Sequence, residues 1–195
     1  KNIIKLLDEE KLKAVVAPEL EFYLCEQNLD PDLPLKTPIG KSGRREKGSR
    51  VFGIDAVNEF DDLTDDIYDY CEILEIGVDT LIHESGPSQI EINLNHGDPL
   101  KLADQAFMFK RAVRQVALKH GIHATFMSKP YQGHPGSSMH IHQNIISKET
   151  NKNLFSDENG NNTEEFFHFI GGLQTYLPDA MLFFAPYVNS YRRFV

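Results

Sequence analysis

Glu19 and Glu21, then Glu84 and Glu91, stand inside apolar, β-forming stretches, and His140 and His142 follow a glycine-serine segment, Gly133 to Ser138. In a strand, His140, His142 and Asn144 share one face while Met139 and Ile141 take the other. The glycines, proline and serines at 133–138 make a tight loop ahead of that strand. Two imidazoles side by side behind such a loop suit a metal or a phosphate; the alternative is a polar strand face with incidental histidines. The glutamates bear on the choice. A carboxylate in low dielectric is costly unless it meets a cation, and basic residues near these positions in the sequence are few. Either the glutamates pair with Lys or Arg from the helices, or divalent metal ions hold them. Carboxylate-rich sets with an imidazole suit Mg²⁺ or Mn²⁺, and the five ligands Glu19, Glu21, Glu84, Glu91 and His140 suit two ions better than one. Two hard cations clamping oxygens is an arrangement for moving a phosphoryl group.

The elements that must position these groups follow from periodicity. Residues 1–13 carry Ile3, Ile4, Leu6, Leu7 and Leu12 in a helical pattern. Ala14 to Gln27 reads as a strand with Ala17, Glu19, Glu21 and Tyr23 on one face and Leu20, Phe22 and Leu24 on the other. Residues 28–50, with Pro31, Pro34, Pro38 and the basic patch Lys41, Arg44, Arg45, Lys47 and Arg50, form a long loop. A phosphate contact or plain solvated flexibility would each explain its charge. Asn58 to Ile76 predicts one helix, with Phe60, Leu63, Ile67, Tyr70, Cys71 and Leu74 as its stripe, an acidic outer face, and Gly77 as its stop. Thr80–Glu84 and Gln89–Asn95 predict two strands joined by Ser85-Gly86-Pro87-Ser88, the second with Gln89, Glu91 and Asn93 on one face and Ile90, Ile92 and Leu94 on the other. Asp98-Pro99 caps a long helix, Leu100 to His120, which Gly121 closes. His123 to Lys129 predicts a short strand, and Lys148–Asn162 a polar hairpin or loop. Glu164–Tyr176 and Asp179–Phe184 predict two helices broken at Pro178. The order of elements is α+β, with one curved, largely antiparallel sheet flanked by helices.

Composition bounds the function. A chain of 195 residues with 41% hydrophobic and 25% charged residues can bury a real core. A formal charge of −9 argues against nucleic acid or an anionic membrane as partner. No apolar run is long enough to span a bilayer, and the N-terminus carries no secretion signal. Cys25 and Cys71 lack a C-x-x-C spacing and read as free thiols in a reducing compartment, which places the protein in the cytoplasm.

The sequence also resembles a known family. A-P-E-L-E-F at 17–22, H-E-S-G-P-S-Q-I-E-I at 83–92, A-T-F-M-S-K-P at 124–130, G-S-S-M-H-I-H-Q at 136–143 and N-S-Y-R-R-F-V at 189–195 are similar to the successive signatures of glutamine synthetases. They occur in family order over nearly the whole chain. The H-G-D and P-G-S-S-M-H-I-H-Q wording most resembles the branch that joins glutamate to polyamines. The resemblance implies the fold shared by glutamine synthetases and guanidino kinases, with ATP, two Mg²⁺ or Mn²⁺ ions, glutamate and an amine as cofactors and substrates. It assigns Glu21, Glu84 and Glu91 to the ion that supports the activated glutamate, and Glu19 and His140 to the ion that bridges the ATP phosphates. His142, with Asn144 and His96, would lie along the nucleotide. Gly136 would lend its backbone to glutamate, and the Arg193 fork would grip a carboxylate or the transferred phosphoryl group.

Three departures qualify these expectations. Pro135-Gly136 stands where many members have Asn-Gly, so a side-chain contact to glutamate is missing. Val51 and Phe52 stand where ammonium-using members place a tyrosine near the acceptor, which favours a larger amine. The family also has a small β-grasp domain before the catalytic domain, a catalytic loop beyond the last motif, and ring-shaped homo-oligomers whose sites form between subunits. Residues 1–195 are therefore expected to be the N-terminal and central part of a catalytic domain, inactive alone. The competing readings are glutamine synthesis from ammonium, a non-catalytic module that keeps the fold, and a guanidino kinase.

Overall fold

The computed structural model describes residues 1–48 and 50–194; Ser49 of the long loop and Val195 of the last motif lie outside them. Five strands form one sheet: β1 (Leu12–Glu26), β2 (Val78–His83), β3 (Gln89–Leu94), β4 (Ile122–Thr125) and β5 (Met139–Ser147). Around it are α1 (Asn2–Glu9), α2 (Ile54–Asn58), α3 (Asp61–Ile73), α4 (Pro99–Lys119), α5 (Glu164–Phe184) and a 3-10 turn over Val188–Arg193. Every strand pair is antiparallel, in the order β2-β3-β1-β4 with β5 also on β1. This is the α+β arrangement that the sequence predicts.

β1 is the spine. Glu19 pairs with both Asn93 of β3 and His140 of β5, and Tyr23 with both Gln89 of β3 and Thr125 of β4. β3 therefore runs along one edge, while β5 and β4 follow each other along the opposite edge. Val16 exchanges two hydrogen bonds with Gly97 across the β3 edge (3.0 and 2.9 Å). Pro18, two residues on, turns its missing N–H to the same edge, where the ladder breaks before the Glu19–Asn93 pair. A proline is tolerated inside a strand only at such a gap.

Alternation divides the sheet into two faces. Leu20, Phe22 and Leu24 of β1 join Ile90, Ile92 and Leu94 of β3 in the core, against Leu63, Ile67 and Cys71 of α3 and Leu102, Phe109, Val113 and Val116 of α4. The other face carries the glutamates. Asp98 caps α4 as expected, its carboxylate accepting from Leu100 N (3.0 Å) and Lys101 N (2.9 Å).

Four sequence expectations need correcting. The helix expected over Asn58–Ile76 is α3, Asp61–Ile73, preceded by the short unexpected α2, and Tyr70 and Leu74 of its expected stripe are exposed. Its stop is Glu75 (φ 55), not Gly77, which packs against the Asn95 side chain. The strand expected over His123–Lys129 ends at Thr125, where the chain turns into the Gly-Ser loop. The two helices expected around Pro178 are one, α5, with the proline inside. A proline removes one hydrogen bond and bends a helix without having to end it. No residue of α5 is buried. No helix among the described residues is long and apolar enough to cross a membrane.

The core argument makes a stability prediction. Phe22→Ala should lower the unfolding free energy by about 3–5 kcal/mol, whereas Leu29→Ala, at a side chain 91% exposed, should change it by less than about 0.5 kcal/mol. Urea unfolding of the two variants measures the contrast.

Candidate active site

Register places the polar side chains. Glu19 faces Asn93 and His140, Glu21 faces Glu91, and Tyr23 faces Gln89. Directly opposed residues point to the same side of a sheet, so these groups share the face away from the core. Glu84 joins them from the segment after β2, its N donating to Gln89 O (2.8 Å). One oxygen of Glu19, one of Glu91 and one nitrogen of His140 lie within 4.8 Å of one another. His140 Nδ1 is 3.2 Å from Glu19 Oε2 and 4.0 Å from Glu21 Oε1. His142 Nε2 is 2.7 Å from the other Glu19 oxygen.

The electrostatics of this cluster are one-sided. Among the described residues no lysine or arginine pairs with Glu19, Glu21, Glu84 or Glu91; the close partners there are the imidazoles of His140 and His142. Glu91 is 6% exposed, and its carboxyl is pushed up to about 7 by burial and by the charges of Glu19, Glu84 and Glu21, against a hydrogen bond from Asn93. Burial, with Glu21 and Glu84, also holds the Tyr23 hydroxyl well above its ordinary value. Hard oxygen donors crowded together with an imidazole and without an organic cation fit a divalent metal of the Mg²⁺ or Mn²⁺ type. The cluster mixes the two expected ligand sets: Glu91 stands with Glu19 and His140, while Glu21 is turned towards Gln89 and Ser138.

The Gly-Ser loop closes one end of the site. Ser138 Oγ donates to Glu21 Oε1, and Ser138 O accepts from Glu21 N (3.1 Å). Gln89, fully buried, donates from Nε2 to Glu21 Oε2 (2.9 Å) and Gly136 O (3.1 Å), while its Oε1 accepts from Gly86 N (2.9 Å). Tyr23 OH donates to Pro135 O (2.7 Å). Gly136 is tightly enclosed: a Cβ would meet Ser128 O at 2.5 Å and Arg193 Nε at 2.9 Å. Arg193 donates from Nη1 to Ser137 O (3.0 Å) and, with Glu21, Ser138 and His140, lines a cleft of about 450 Å³. Asn189 fixes the 3-10 turn that carries it, through Lys129 N (2.7 Å) and Lys129 O (3.1 Å).

Two expected nucleotide contacts stand apart from the cluster. Asn144 is exposed on β5 and accepts from Asn153 Nδ2 (3.0 Å), and His96 is exposed beside the Gly97–Val16 bridge. Sequence reading missed Gln89, Ser138 and Asn189 as site builders. The polar alternation of β3 put Gln89 on the correct face, but its hydrogen bonds reach residues 47 and 68 positions away.

Comparison with known proteins places this geometry. The family described as glutamine synthetase, catalytic domain, matches residues 1–195. The gamma-glutamylputrescine synthetase PuuA of Escherichia coli (strain K12) is 41% identical over 192 residues, covering 96% of this chain and 40% of that protein. A glutamine synthetase of Pyrococcus abyssi is 35% identical over 195 residues, covering 100% of this chain and 42% of that protein. The chain thus spans about two fifths of the length of these relatives. Among solved structures, apo GmaS without ligand has a TM-score of 0.82 at 27% identity over 98% of this chain and 44% of its own. A Plasmodium falciparum glutamine synthetase shares the fold, with a TM-score of 0.82 at 23% identity over 98% of this chain and 42% of its own.

The buried carboxyl yields a test. In the metal-free folded chain Glu91 keeps its proton to about pH 7, whereas the ordinary value for the group is 4.5. Between those values the folded state holds more protons than the unfolded state, so stability falls as pH rises through the window. Thermal unfolding in chelator at pH 5 and pH 8 should show wild type losing more stability than Glu91→Gln, and millimolar Mg²⁺ at pH 8 should restore it. Equal losses in the two proteins would remove Glu91 as the cause.

Proposed function

The chain belongs to the glutamine synthetase family, and from that premise we propose that the complete protein is an ATP-dependent glutamate–amine ligase. The reaction forms a γ-glutamyl amide through γ-glutamyl phosphate, with a polyamine as the acceptor. The observation that carries the reading is the convergence of Glu19, Glu91 and His140, with Glu21 and Glu84 at its border, on one sheet face without a lysine or arginine partner among the described residues. A sheet does not need such a face to fold, since uncompensated carboxylates cost stability.

In the proposed reaction the γ-carboxylate of glutamate attacks the terminal phosphoryl group of ATP, and an amine then displaces phosphate from the acyl phosphate. Glu19 and His140, and Glu21, Glu84 and Glu91, would hold two divalent ions, which neutralise charge on the phosphoryl oxygens when bound. Arg193, steadied by Ser137 O and by the Asn189 tether, offers its free guanidinium nitrogens to a carboxylate or phosphoryl oxygen. Gly136, whose missing side chain lets Ser128 O and Arg193 approach closely, would lend its backbone to glutamate, and Gln89 holds Glu21 and that loop in fixed relation. His142, Asn144 and His96 would lie along the nucleotide. Residues 1–195 form part of one catalytic domain in this reading, and the complete protein is a cytoplasmic, ring-shaped homo-oligomer.

Two findings favour a polyamine. The 41% relative is named for putrescine, and Phe52, whose N donates to His83 O (2.9 Å), brings an aromatic residue without a hydroxyl to the strand end before Glu84. The 35% relative named for glutamine synthesis supports ammonium as the second reading.

An amine panel run with ATP and glutamate on the complete protein tests the assignment. Putrescine or spermidine should turn over faster than ammonium at equal concentration; the reverse order would assign ammonium. Glu19→Gln and His140→Ala should each lower turnover by about 10²–10³-fold, read as phosphate release, without loss of the folded state by circular dichroism.

A further inference from the structure

A buried carboxylate fastens the long loop between β1 and α2 to the sheet. Glu46 Oε2 accepts from Ser88 N (2.6 Å) and meets His83 Nε2 at 2.9 Å. The imidazole side chain is 1% exposed and that of Glu46 12%. The other ring nitrogen, His83 Nδ1, lies 2.8 Å from Glu84 O. A carbonyl oxygen only accepts, so Nδ1 carries a hydrogen, and the Nε2 contact shares a further proton with the carboxylate. The loop is held on both sides of this contact: Thr37 Oγ1 donates to Glu46 O (3.1 Å), and Phe52 N donates to His83 O (2.9 Å).

The two groups that Glu46 grips flank one short turn. His83 precedes Glu84, and Ser88 ends the Ser85-Gly86-Pro87-Ser88 connection, with Glu84 Oε2 accepting from Ser85 N (3.1 Å) between them. Ser88 adopts φ 58, a left-handed conformation that an L residue keeps only when its surroundings hold it there. That conformation accompanies the short contact between Ser88 N and Glu46. A buried polar pair is a poor way to gain stability, since an apolar pair of similar volume does as well; what it supplies is geometry.

We propose that Glu46 and His83 are positioning residues that staple the Glu84 turn and so set the glutamate-binding end of the site, independently of the Glu19–His140–His142 end. The proposal deepens the ligase reading and rests on it for the identity of the substrate. Neither residue needs to touch substrate: Glu46 acts on Glu84 through His83 and Ser88.

The test uses the complete protein and the variants Glu46→Leu, Glu46→Asp and Glu46→Gln. Leucine removes both contacts, aspartate is too short to make both, and glutamine keeps the length, so that its amide oxygen can accept from Ser88 N and from a protonated Nε2 as Oε2 does. Leucine and aspartate should raise the KM for glutamate by about 10-fold and weaken part of the Mn²⁺ binding, measured by calorimetry without substrates, by about 10-fold. The KM for ATP should stay within about 2-fold, and glutamine should return both quantities to within about 2-fold of wild type. Trypsin should also cut faster after Arg44, Arg45 or Lys47 in the leucine and aspartate variants. Equal changes in both KM values, or no change, or a glutamine variant as impaired as the others, would overturn the proposal. A wild-type protein without glutamate-dependent ATP turnover would sink the ligase reading instead. The Mn²⁺ titration would then judge the staple alone, and unweakened binding in both the leucine and aspartate variants would refute it.

Discussion

Charge repulsion on one face of a sheet is the constraint from which the rest of this molecule follows. Glu19, Glu21 and Glu91 come together where antiparallel register leaves them no choice, Glu84 joins them from the segment after β2, and Glu91 is buried among the other three. Such a face is tolerable only if hydrogen-bond donors and cations meet it. The donors are present: Gln89 and Ser138 for Glu21, His142 for Glu19, Ser85 N for Glu84. In the proposed reading a divalent ion would take the unmet part of the charge, which the backbone pairing itself creates.

The opposite face makes that arrangement affordable. Leu20, Phe22 and Leu24 alternate with the glutamates along β1 and are among the most buried side chains present. A strand cannot shift by one residue to relieve its carboxylates without turning these three out of the core. The same alternation that packs α3 and α4 against the sheet therefore holds the acidic groups in place.

Much of this was legible in the chain. The two-residue period of β1, β3 and β5 identified the correct face for Glu19, Glu21, Glu91, His140 and Gln89, because that period is a local property. What stayed hidden depends on long-range contacts. Nothing near Glu46 shows that His83, 37 positions away, meets it in a buried contact, so a loop rich in Arg and Lys suggested only a phosphate contact or solvated flexibility. Pro178 misled because helix-breaking is judged locally, whereas α5 continues through it. Arg193 was found by its motif, but the reason it is steady lies in Asn189 and Lys129, 60 residues apart.

The pairing of β1 with β5 also carries a consequence for biosynthesis. Glu19 and His140 are 121 positions apart, and every rung of that ladder is similarly distant. At a translation rate of about 5–20 residues per second, β1 leaves the ribosome roughly 6–24 s before its β5 partner does. Throughout that interval a fifteen-residue strand has one edge open over most of its length, and the nascent chain must be kept from pairing it with a neighbour. The carboxylates of Glu19 and Glu21, awkward in the finished sheet, are useful at that stage, since like charges on an open strand discourage stacking against another copy.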